Sequence, residues 1–204
     1  FSDEANPSWI DHGVLAKLYT LLPGQPQYSS ALDYANFGNE EPFNIFFNLI
    51  HVPTRPWNRG FTTLNGTVVT NASGEAVYEY FGVKFMTQIK LGPNDAPGYY
   101  QMALLSDDGA VLNMNDQLTE PRTIVNNDGV HPTRLGCASE PVYLAPGTQI
   151  PTELFYHQGP RYHIAMSVLW RPWNGSADDP LCGQQGNSLY FDSTQTPPAP
   201  QQAF

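Results

Sequence analysis

Basic residues are scarce in this chain. Nine lysines and arginines stand against nineteen aspartates and glutamates, for a net charge of −10 and a pI near 4.7. No basic patch is there to neutralise a phosphate backbone, so nucleic acid is not an expected partner. Anionic membrane surfaces are disfavoured for the same reason. Long apolar runs are also missing, and no stretch approaches the ~20 residues that a membrane helix needs. Charged residues reach only 14%. Nineteen prolines argue against long helices. No Gly-x-Ser-x-Gly element, phosphate loop or dinucleotide fingerprint is present. None of the histidines, His12, His51, His131, His157 and His163, has zinc-motif spacing.

There are only two cysteines, Cys137 and Cys182. Their pairing as a disulfide is expected in a chain of this composition, and points to an oxidising compartment. The bond would contribute about 4 kcal/mol on the chain-entropy model. The alternative is two buried thiols. No signal peptide is visible. The chain opens at Phe1-Ser2-Asp3, which suggests a mature form or an excised segment.

What is present is β-texture. Hydrophobic residues make up 41%, and polar uncharged residues, Gly and Pro fill much of the rest. Strand patterns run over residues 13–19, 78–91, 98–105, 111–116, 123–125, 150–157 and 164–170. Residues 43–47 fit either a strand or a buried loop. Residues 23–39 read as a long loop with a helical turn at 31–34. Pro53 to Gly60 reads as a proline-stiffened surface segment. Turn signals lie at Gly92-Pro93-Asn94-Asp95, Asn126-Asn127-Asp128-Gly129 and Ala145-Pro146-Gly147-Thr148. The expectation is an all-β sandwich of mostly antiparallel strands with long loops. One domain is expected over residues 1–195, with its core at about 13–170. Residues 196–204 form a Pro/Gln-rich tail or linker.

The chemistry concentrates at Ser106-Asp107-Asp108-Gly109-Ala110, between two strand patterns. Adjacent carboxylates repel each other unless a cation lies between them, and hard Asp oxygens suit Ca²⁺. A plain turn is the alternative, since Asp and Gly both favour turns. A second segment, Gln158-Gly159-Pro160-Arg161-Tyr162, separates the last two strand patterns.

The order of these parts resembles the protective-antigen-type (PA14) domain. It runs through the Asp pair, Asn127-Asp128-Gly129-Val130-His131, Leu144-Ala145-Pro146-Gly147-Thr148, Phe155 to Pro160, and Ile164 to Trp170. The resemblance covers roughly residues 13–170. It implies a β-sandwich, and in the lectin branch of adhesins and flocculins it implies a Ca²⁺ site. There an Asp-Asp pair joined by a cis peptide binds the ion, and the ion takes two hydroxyls of a sugar. Carried over, Asp107 and Asp108 would hold Ca²⁺ with the side-chain oxygen of Gln158 and the carbonyls of Pro160 and Tyr162. Flocculins usually have Asn where this chain has Gln158. Arg161 and Tyr162 would contribute to sugar specificity.

The resulting expectation is a Ca²⁺-dependent glycan-binding domain, without enzyme activity, of a secreted or cell-surface adhesin. It could be part of a larger chain. The rivals are a non-lectin structural module of a toxin or large adhesin, and an accessory domain of a glycoside hydrolase. Glu40, Glu41, Glu79 and Glu153 cannot be paired as a glycosidase couple from sequence. Asp178-Asp179 reads as solvated loop charge, and Asp128 as a structural residue bonding turn amides. Trp170 reads as core and Trp57 as exposed. Asn65, Asn71 and Asn174 head glycosylation sequons.

Overall fold

The computed structural model describes residues 13–61, 68–116, 120–186 and 189. Trp9, His12, the Asn65 sequon and the 196–204 tail lie outside the described residues. Among the described residues eleven strands form two sheets. In chain order they are β1 (Val14–Thr20), β2 (Asn39–Phe47), β3 (His51–Pro56), β4 (Phe81–Ile89), β5 (Gly98–Asp107), β6 (Ala110–Met114), β7 (Arg122–Asn127), β8 (Arg134–Cys137), β9 (Val142–Leu144), β10 (Ile150–Gln158) and β11 (His163–Pro172). A helix, α1, spans Ala31–Phe37.

The six-stranded sheet has the order β2-β1-β4-β10-β6-β7. The other runs β3-β11-β5-β8, with β9 also paired to β5. All the strand pairs are antiparallel. The expected all-β sandwich is therefore what the chain forms. Inward positions of both sheets are mainly aliphatic or aromatic, as period-2 alternation requires. Leu18, Phe85, Met102, Leu104, Leu112, Leu154 and Met166 are all essentially inaccessible. Each such side chain contributes about 1.5–3 kcal/mol of transfer free energy.

The outer face of the six-stranded sheet is covered by α1, through Ala31, Ala35, Val111 and Phe155. The helix is longer than the single turn expected at 31–34. Its first turn is held from a distance: Asp128 accepts the Ala31 N–H at 2.9 Å and the Ser30 hydroxyl at 2.6 Å. Pro53 to Gly60 is not only a surface segment. Its first half belongs to β3, and a short 3₁₀ turn follows over Trp57–Arg59. β3 is an edge strand, where proline costs no ladder hydrogen bond on the open side. The strand expected over residues 78–91 begins only at Phe81, because Tyr80 adopts a φ of 57°. Asn126 and Asn127 extend β7, so the turn starts at Asp128.

Cys137 and Cys182 form the disulfide. It ties the loop after β11 to β8, and residues 183–186 lie along the same strand. Gly183 donates to the Leu135 carbonyl at 2.7 Å and Leu135 donates to the Gln184 carbonyl at 3.2 Å. An otherwise open edge is covered in this way. Among the described residues no helix is long and apolar enough to cross a membrane.

Candidate metal and ligand site at one end of the sandwich

The two segments singled out in the sequence meet because both change sheets at the same end. β5 lies in the five-stranded sheet and β6 in the six-stranded one, so Asp108-Gly109 carries the chain across. β10 and β11 repeat that crossing through residues 159–162. β11 pairs with β5, with Ala165 opposite Asp107. β10 pairs with β6, with Tyr156 opposite Ala110. The crossings are thus neighbours in both layers.

Asp107 and Asp108 are joined by a cis peptide and are 5% and 3% exposed. Asp108 Oδ1 accepts the His131 N–H at 3.0 Å, and its Oδ2 accepts the Gly159 N–H at 2.7 Å. Asp107 Oδ2 accepts the Thr133 hydroxyl at 3.1 Å. Burial pushes the Asp107 carboxyl up to about 7, and the neighbouring Asp108 charge adds to the rise. Burial also raises Asp108, against the pull of the Gly159 and His131 amides. Two carboxylates are therefore held close together, dry and mutually repelling, a state that a bound cation relieves.

Gly109 is required here by space. A Cβ on it would fall 2.5 Å from Asp128 Oδ1 and 2.7 Å from His157 Nε2. His157 lies under α1, stacked on Tyr34 with ring centroids 5.7 Å apart. Burial pushes its pKa down to about 4.

Gln158 is fully buried. Its Nε2 donates to the His163 carbonyl at 3.0 Å, and its Oε1 lies 2.6 Å from the Tyr156 hydroxyl. That hydroxyl also lies 2.6 Å from the main-chain oxygen of Asp107, which brings the Gln158 amide next to the Asp pair. Pro160, Arg161 and Tyr162 are exposed, Tyr162 at 78%. The Tyr162 carbonyl accepts the Trp57 N–H at 3.1 Å. Arg161 packs over the Trp57 ring at 5.1 Å and pairs with Glu79 at 3.4 Å. Trp57 is accordingly only half exposed. Val130, 53% exposed, flanks Gly159.

The donor set fits a hard cation. Its members are carboxylate, amide and carbonyl oxygens, and each keeps a lone pair beyond the hydrogen bonds described. Among the described residues no group of three or more His, Cys, Asp and Glu side chains is placed to hold a metal ion. A nitrogen- and sulfur-rich transition-metal site is not what these segments assemble.

Sequence reasoning gave no role at this site to Tyr156, Thr133, Glu79 or the His131 amide. Tyr156 was within reach of it, since it lies two residues before Gln158 and shares its strand face. The other three come from loops and edges with no local signal. Asp128 is structural as expected, but it serves α1 and not its own turn. Asp178 and Asp179 lie away from this end. Asp179 pairs with Arg171, and its pKa is lowered by the Leu181 amide first and by that contact second. Trp170 is half-buried against the core beside Tyr100.

No protein-family model and no curated protein matches the sequence. Solved structures do match. The PA14 sugar-binding domain from an RTX adhesin shares 16% identity over 78% of this chain and 89% of its own, with a TM-score of 0.55. The PA14 domain of the antifreeze protein MpAFP shares 14% over 86% and 90%, with a TM-score of 0.57. An anti-sigma factor domain-containing protein shares 15% over 93% of this chain and 50% of its own, with a TM-score of 0.53. The chain has the PA14 fold.

Proposed function

We propose that this chain is a Ca²⁺-dependent carbohydrate-binding domain of a secreted or cell-surface adhesin. The observation that carries the reading is the junction of the two crossings: the Asp107–Asp108 pair is buried against the Gly159 amide at the mouth of an exposed loop. The sugar-binding description of the RTX adhesin domain, a structure with the same fold, agrees with it.

Asp107 and Asp108 would hold the ion, with Gln158 Oε1 and the carbonyls of Pro160 and Tyr162 completing the protein's share. That makes about five oxygens where Ca²⁺ takes six to eight. A bound Ca²⁺ offers its remaining positions to a pair of sugar hydroxyls. The chain's own part is to fix the carboxylates. The amides of His131 and Gly159 and the Thr133 hydroxyl keep them from swinging apart, and burial keeps competing water away. Arg161, in contact with Glu79 and Trp57, presents N–H donors at one rim. Tyr162 presents a ring face on the same loop, and Val130 an apolar edge on the other side.

A glycan array probed with and without EDTA tests this. Binding in Ca²⁺ that EDTA removes, and that Asp107→Asn abolishes, is the expected result. A folded protein that binds neither Ca²⁺ nor glycan would instead be a structural module of a toxin or large adhesin.

A further inference from the structure

The opposite end of the sandwich carries a second concave site. β5 runs from Gly98 to Asp107, so Tyr99 lies eight residues before the Asp pair, roughly 26 Å away at strand rise. There a cavity of about 830 Å³ opens, lined by Tyr99, Tyr143, Asp116, Arg122, Glu140 and Gln149 among others. That volume is within the range of small-molecule sites.

Its walls combine two kinds of group. Tyr99 and Tyr143 are cross-strand partners in β5 and β9. Their rings meet edge to face at 5.1 Å, yet they are 57% and 52% exposed. Two large rings left in solvent inside a hollow form an apolar platform with polar hydroxyl rims. Beside them is a pre-set polar fork. Arg122 Nε and Nη2 donate to the two oxygens of Asp116 at 2.9 and 2.7 Å, and its Nη1 lies 3.6 Å from Glu140. The Asp116 side chain is only 8% exposed, so the bidentate pair is held in place before any ligand arrives.

We propose that this cavity is a second carbohydrate site that takes neutral glycans without a metal ion. The C–H face of a pyranose stacks on the tyrosine platform. Its hydroxyls bond to the Arg122–Asp116 fork, Glu140 and Gln149. Among the described residues of the wall the single cation, Arg122, is outnumbered by two carboxylates, and the whole chain carries −10. Phosphate, sulfate and acidic sugars are therefore repelled. Two sites at opposite ends would let one domain bridge two glycan chains.

The test uses the wild-type chain in EDTA, where the Asp107–Asp108 site cannot act, on an array of neutral and sialylated oligosaccharides. Neutral glycans should still bind. Titration with the best of them should shift amide signals of Tyr99, Arg122 and Tyr143 and leave those of Gly109 and Gly159 in place. Tyr143→Ala and Tyr99→Ala should each weaken that binding about tenfold or more, while the chain stays folded and melts only slightly lower, because the loss is confined to one edge-to-face contact between half-exposed rings. Loss of all glycan binding in EDTA overturns the proposal. So does EDTA-resistant binding that ignores both tyrosine substitutions, or that is confined to sialylated glycans.

Discussion

The carboxylate of Asp108 accepts the backbone N–H of Gly159 at 2.7 Å, across 51 positions of sequence. This bond stitches the β5–β6 crossing to the β10–β11 crossing. It turns two ordinary loop signals into one site. A Cβ on Gly159 would lie 2.9 Å from Asp108 Oδ2, so the glycine is what allows so close an approach.

Gly159→Ala and Gly109→Ala should accordingly behave differently. At Gly159 the clash falls on a side chain that can shift, so the fold survives and the Asp108 carboxylate moves. Calorimetry should record weaker Ca²⁺ binding with a melting temperature near that of the wild type. At Gly109 the clash falls on Asp128, the Gly129 backbone and His157 together. Overpacking there should cost about 1–3 kcal/mol or more, read as a lower denaturation midpoint.

Asp107→Asn should trade binding for stability. In the metal-free protein the ionised Asp107 carboxylate is buried beside a like charge, while the amide oxygen of Asn can still accept from Thr133. At pH 8 in EDTA the variant should be more stable than the wild type, by about 1–3 kcal/mol. It should show no heat of Ca²⁺ binding.

The pH dependence follows from the same shift. The folded-state pKa of Asp107, about 7, lies above its unfolded value of about 3.9. Between those values the folded state binds the extra proton. This group's contribution therefore favours the metal-free fold at low pH and is lost as pH rises through 7, by at most about 4 kcal/mol. Ca²⁺ competes with that proton, so its affinity should rise about tenfold per pH unit below 7 and level off above. Titrations at pH 5.5, 6.5 and 8 check the slope.

Asp128→Ala should loosen α1 without touching the metal. Removing a charge-bearing cap costs about 0.5–2 kcal/mol. The readout is faster hydrogen exchange at the amides of Ala31 and Tyr34, with Ca²⁺ affinity nearly intact.

How far the sequence reached is clearest from particular residues. The long inward-alternating strands β4, β5, β10 and β11 were readable, because period-2 patterns survive any tertiary context. The Asp pair and the loop at 158–162 were readable through the order of motifs. β8 and β9 were not, since strands of four and three residues lack a period to detect. Pro53 concealed β3, because only its place at a sheet edge makes proline tolerable there. Asp128 read as a residue serving its own turn; the helix it caps lies 97 positions earlier, and no local pattern marks such a partner. The Tyr99–Tyr143 platform was hidden for the same reason, as β9 had to be found first.

The most direct test is a calorimetric titration of the EDTA-stripped, dialysed protein with CaCl₂ at pH 8, alongside Asp107→Asn. The account predicts saturable one-site binding to the wild type and none to the variant. Wild-type protein that is folded and takes up no Ca²⁺, or a variant that binds as well as the wild type, would contradict it.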